Sequence, residues 1–129
     1  MLGLLIVSHS RKVAEGVRDL AEQVAQGQVP IAAVGGLDDG SLGTNVEAIR
    51  TAADDLAADH LLVLVDLGSA VMSAEMALEG FSRPFVLSNA PLVEGAVLAA
   101  VEASIGADLA RALAAAEAAA TMRKVQPRE

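Results

Sequence analysis

Two residues far apart in the chain, His9 and Asp66, are the types from which an oriented imidazole is built. His9 closes the apolar run LLIVSHS (residues 4–10) between two serines, and Asp66 interrupts LVLVDLGSA (residues 62–70). A carboxylate that holds one imidazole nitrogen as N–H leaves the lone pair of the other nitrogen free, and it stabilises the positive charge that grows on the ring during attack. Under that arrangement His9 is a nucleophile. The GSA that follows Asp66 enters a helix, so the N–H groups of Gly68, Ser69 and Ala70 are placed to hold an anion, with the helix dipole favouring negative charge. A phosphoryl group on His9 fits such a site.

These residues meet only if the elements carrying them do. Apolar runs rich in Val, Ile and Leu alternate with helical patterns of ten or more residues, which predicts βαβ units around a parallel sheet. The strands fall at about Leu2–Ser8, Pro30–Val34, Leu61–Asp66 and Phe85–Ser88. A first helix carries the apolar stripe Val13, Val17, Leu20 and Val24. Thr44-Asn45-Val46-Glu47 has the form of a capping box opening a second helix through about Ala57. A third helix runs from Gly68-Ser69 to near Gly80. The fourth begins with Pro91 in its first turn and ends near Gly106. The last, dense in alanine, spans Ala107 to Met122, with Arg123 and Lys124 suited to its C-terminal end.

In open α/β sheets the chemistry gathers beyond the carboxyl ends of the strands. His9, Gly35-Gly36-Leu37-Asp38, Asp66 and Asn89-Ala90-Pro91 all fall on that edge. With a strand order of 2-1-3-4, the first and third strands are neighbours about 5 Å apart, and His9 meets Asp66. His60 starts the third strand and so lies close to 20 Å from His9, about six residues at ~3.3 Å each; within one chain the two histidines do not share a metal.

Several residues have plainer readings. Ser8 and Ser10 suit caps of the first helix, and Asp66 suits a cap of the third. Asp38 and Asp39, in the glycine-rich loop from Gly35 to Gly43, read as turn residues. Thr44 and Glu47 are explained by the capping box, Glu94 by the helix dipole, and Ser73, Glu75 and Glu79 by a solvated helix face.

Composition narrows the classes. The 129 residues suit one domain, read as residues 1–124 with a disordered tail at 125–129. At 53% hydrophobic residues a membrane segment has to be considered, but the uncharged runs are shorter than the ~18–20 residues a spanning helix needs. No signal-peptide pattern precedes the first strand, so the expected location is the cytoplasm. The absence of cysteine removes disulfides and thiolate chemistry. Two Phe with no Trp or Tyr leave no stacking platform, and a net charge of −8 argues against nucleic acid as a partner.

The segments LLIVSHS, GGLDDGSLGTN, LVLVDLGSA, SAEMALE and NAPLVEGA, in this order and spacing, resemble the phosphotransferase subunit (subunit M) family of bacterial dihydroxyacetone kinases. That family is in turn similar to the enzyme IIA domain of the mannose phosphotransferase system. The resemblance covers the chain to about Ala110. It implies an α/β, flavodoxin-like three-layer sandwich, a homodimer, and a phosphocarrier in which His9 is phosphorylated at Nε2 with Asp66 beside it. The donor implied is the phosphocarrier protein HPr, charged by enzyme I from phosphoenolpyruvate. The acceptor implied is ADP on the nucleotide-binding subunit L, whose ATP then phosphorylates dihydroxyacetone on subunit K. Neither metal nor cofactor is implied on this chain. Some members continue into fused carrier domains; this chain is expected to use separate carriers.

Three other readings compete. A small tetrapyrrole metal chelatase also opens with a strand followed by histidine, but needs a second histidine or a carboxylate cluster nearby, and His60 is on the opposite edge. A non-catalytic partner-binding domain would leave His9 purely structural. A histidine phosphatase would carry arginine where Ser8 stands.

Overall fold

The computed structural model describes residues 1–128. Its elements alternate as β1 (Leu2–Ser8), α1 (Arg11–Ala25), β2 (Ile31–Gly35), α2 (Val46–Asp55), β3 (His60–Val65), α3 (Gly68–Ala77), β4 (Phe85–Leu87), α4 (Leu92–Ser104) and α5 (Leu109–Ala118), followed by a short 3-10 turn at Ala119–Thr121. The strands form one parallel sheet in the order β2-β1-β3-β4, the expected doubly wound, flavodoxin-like arrangement.

Side-chain alternation along the two central strands divides the core. Leu4 and Ile6 of β1 and Leu62 and Leu64 of β3 face α1, α4 and α5. Leu5 and Val7, with Leu61, Val63 and Val65, face α2 and α3. Every residue of β1 is buried, as a central parallel strand covered on both faces must be.

The helices meet the sheet through alanine, and this corrects the reading of α1. Its inward residues are Ala14, Val17, Ala21 and Ala25, whereas Val13, Leu20 and Val24 remain 44%, 49% and 39% exposed. Of the expected stripe only Val17 is in the core. Large strand side chains already fill the layer between sheet and helix, so the close-packing face of the helix is the one with small residues.

Other boundaries shift for local reasons. Asn45, not Thr44, caps α2 by accepting the Ala48 N–H (3.1 Å), so the Thr44–Glu47 capping box does not form. Pro91 is the residue before α4 rather than within its first turn. Asp108 caps α5 through the Arg111 N–H, which starts the helix at Leu109. Lys124 pairs with Glu94 across to α4 (2.6 Å), instead of serving the end of its own helix. Residues 122–128 contain neither helix nor strand; Glu129 of the expected tail lies outside the described residues.

The turn carrying His9 is packed against β2 without room for a side chain. A Cβ on Gly35 would lie 2.6 Å from the Ser8 carbonyl oxygen and 2.8 Å from that of Ser10. Gly35→Ala is therefore expected to destabilise the fold by about 1–3 kcal/mol, seen as a lower urea midpoint with an unchanged slope. An unaltered midpoint would show that this backbone contact does not constrain the turn.

Candidate functional site

The register Val7↔Val65 brings the ends of β1 and β3 out side by side, so Ser8 and His9 emerge opposite Asp66. The Asp66 carboxylate accepts four hydrogen bonds: the His9 N–H (2.9 Å) and Ser8 hydroxyl (2.9 Å) on Oδ2, and His9 Nδ1 (3.0 Å) and the Leu67 N–H (2.8 Å) on Oδ1. Burial raises the pKa of this carboxyl, but the bonds from the His9 backbone, the His9 ring, Ser8 and Leu67 together outweigh it. The net shift is below the ordinary 3.8.

An ionised carboxylate only accepts, so its partner Nδ1 carries the proton. Nε2 is then the free lone pair of the neutral ring, and the Ser69 hydroxyl donates to it at 2.7 Å. The ring is partly enclosed: the His9 and Asp66 side chains are 24% and 18% exposed. The Nε2 edge therefore faces solvent across Ser69, while the Nδ1 edge faces the fold.

Of the residues expected at the site, His9, Asp66 and Ser69 come together as a connected set. Gly68 and Ser69 open α3, where N–H groups have no partner within the helix. Ala70 is fully buried, and its N–H is already donated to the Leu67 carbonyl (3.0 Å). Asp66 does not cap α3: Leu67 holds the cap position without a side-chain bond. Ser10 caps α1 as expected, accepting from the Val13 N–H (3.3 Å). His60 pairs with Leu2 at the far end of β3.

Three contributions went beyond the sequence reading. Ser8 is wholly buried and does not cap α1: its hydroxyl accepts the Ser10 N–H (3.0 Å) while donating to Asp66. Gly43 donates its N–H to the His9 carbonyl at 2.8 Å. Thr44 and Ser73, assigned to a cap and a solvated face, share a 2.6 Å hydroxyl contact that ties this loop to α3. The signal for the last two was the long glycine-rich loop itself. Asp39 behaves as a turn residue, accepting from the Ser41 N–H and hydroxyl.

The family model of EIIA-man, the PTS system fructose IIA component, matches residues 3–113. The chain belongs to this family. Among relatives of this EIIA-man chain, the phosphotransferase subunit DhaM of a PTS-dependent dihydroxyacetone kinase from Lactococcus lactis is 37% identical over 105 residues, covering 81% of this chain and 85% of that protein. The phosphoryl donor subunit DhaM of a PEP-dependent dihydroxyacetone kinase from Escherichia coli is 44% identical over 120 residues. That match covers 84% of this chain but only 25% of the longer E. coli protein. The crystal structure of EF1359, a protein of unknown function, matches with a TM-score of 0.83 and 34% identity over 97% of this chain and 98% of its own. This EIIA-man chain is of the DhaM type, in agreement with the resemblance read from its motifs. No helix among the described residues is long and apolar enough to cross a membrane.

The pKa of Asp66 links the site to stability. A carboxyl whose folded value is lowered contributes stability that is fully present above its unfolded value, 3.8, and lost as pH falls through the folded value. The difference in melting temperature between wild type and Asp66→Asn is expected to hold steady above pH 3.8 and to shrink in more acid solution. A difference that widens on acidification would contradict the assigned charge.

Proposed function

We propose that the chain is a phosphohistidine phosphocarrier, the phosphoryl donor subunit of a dihydroxyacetone kinase. The observation that carries this reading is the pair of contacts on one ring: Asp66 on Nδ1 at 3.0 Å and a solvent-facing Nε2 met, among the described residues, only by the Ser69 hydroxyl at 2.7 Å.

In the first step Nε2 attacks the phosphorus of a phosphohistidine on HPr. The Nε2–P bond forms as the donor's N–P bond breaks, and the donor nitrogen leaves with its electron pair. Asp66 offsets the positive charge that develops on the His9 ring through the Nδ1–H bond. The Ser69 hydroxyl turns away from Nε2 to a phosphoryl oxygen, and the N–H groups of Gly68 and Ser69 take the others. Ala70, whose N–H is engaged, supports these groups by anchoring the first turn of α3 in the core. In the second step an oxygen of the terminal phosphate of ADP, bound on kinase subunit L, attacks the phosphorus. The Nε2–P bond breaks, ATP forms, and His9 returns to its neutral tautomer; subunit K then uses the ATP on dihydroxyacetone. The protein works in the cytoplasm as a homodimer. The edge of β4, with Met72 (67% exposed) and Met76 (63% exposed) in the adjoining groove, offers apolar surface to a second copy.

Incubation with phosphoenolpyruvate, enzyme I and HPr is expected to add one acid-labile phosphoryl group to the wild-type mass and none to His9→Ala. Asp66→Asn is expected to load on the order of 10²-fold more slowly. Absence of the added mass with a competent donor would end the carrier reading.

A further inference from the structure

Phosphoryl transfer to ADP brings two anionic groups together beside the ionised Asp66, in a chain of net charge −8. Bringing such charges within contact distance requires a compensating cation near the reacting atoms. The nine Lys and Arg residues can be sorted by their partners. Arg18, Arg50, Arg111 and Lys124 are each paired with a carboxylate. Arg83 donates to the backbone carbonyls of Leu56, Ala58 and Ala53, fixing the start of the β4 segment. Arg123 and Arg128 lie beyond the last helix.

That leaves Arg11 and Lys12, exposed and, among the described residues, without a carboxylate partner. Both stand in the first turn of α1, which holds no acidic residue and where the helix dipole disfavours cations. Their placement is thus a cost to the helix that no carboxylate among the described residues offsets. They begin two residues after His9, within about 11 Å by chain reach. They also line a cavity of about 350 Å³ whose opposite wall is the loop of Gly36, Leu37, Gly40 and Leu42. That volume falls in the range of small-ligand clefts. The carboxylate of Asp39 in the same loop is turned back onto Ser41, and neither Asp38 nor Asp39 forms an ion pair with Arg11 or Lys12 among the described residues.

We propose that Arg11 and Lys12, facing this loop, form an anion subsite that receives the diphosphate of the nucleoside diphosphate acceptor while its terminal oxygen attacks the phosphoryl group on His9. The inference rests on the phosphocarrier reading and assigns to this chain part of the acceptor's binding.

The test separates loading from transfer. Wild type, Arg11→Lys and the double variant Arg11→Ser/Lys12→Ser are first phosphorylated by the donor system, then mixed with the ADP-loaded acceptor subunit while loss of phosphohistidine is followed in time. The double variant is expected to load at the wild-type rate and to transfer on the order of tenfold more slowly at low salt. Its transfer rate should depend less on ionic strength, and Arg11→Lys should keep most of the rate. The melting temperature of the double variant should equal or exceed that of wild type, which excludes misfolding as the cause. Transfer at the wild-type rate from a normally loaded double variant would overturn the subsite. Slowed loading with unchanged transfer would overturn it as well, by assigning the cations to the donor. Failure of wild type itself to load would remove the carrier reading and this inference together, whereas failure of the subsite alone leaves wild-type loading intact.

Discussion

The bond between Asp66 and His9 Nδ1 is the contact on which the site depends, and it is a product of strand register. β1 and β3 pair in parallel up to Val7 and Val65, so the next residues of the two strands have no choice but to emerge together. The carboxylate also gathers the His9 N–H, the Ser8 hydroxyl and the Leu67 N–H, and these bonds hold it ionised against its partial burial. One charged group therefore fixes the strand ends, the turn into α1, the turn into α3 and the tautomer of the ring. Loss of that charge would loosen all four at once.

The remainder of the fold supplies stiffness to this contact. β1 is buried along its whole length, and the helices lie against the sheet on alanine faces that allow close approach. Gly35 admits the Ser8 and Ser10 carbonyls where any side chain would collide. The loop after β2 closes the remaining side, with Gly43 on the His9 carbonyl and Thr44 on Ser73. The His9 backbone is thus held by Asp66 at its N–H and by Gly43 at its carbonyl, while Nε2 stays toward solvent. In the proposed transfer, preorganisation of this kind would lower the reorganisation needed as charge develops on the ring.

Strand order and the His9–Asp66 meeting were legible because they follow from coarse rules: apolar runs mark central strands, and polar residues at their carboxyl ends converge. The inward face of α1 was not legible from hydropathy. Valine outranks alanine as an apolar residue, but the geometry of helix on sheet selects the smaller one, so Val13, Leu20 and Val24 point outward. The cap of α2 was missed by one residue because Thr44 and Asn45 are both good caps, and only tertiary structure shows Thr44 engaged with Ser73. Ser69 was expected to act through its N–H; that its hydroxyl meets Nε2 depends on a side-chain rotamer that sequence does not encode by itself.

The site turns on the position of one proton, and ring nitrogen shifts report it directly. Nitrogen-15 NMR of the His9 imidazole, taken at a pH where the ring is neutral, is predicted to show Nδ1 protonated and Nε2 bare in wild type, with that preference weakened in Asp66→Asn. A wild-type ring protonated at Nε2, or one whose tautomer is indifferent to Asp66, would contradict the account.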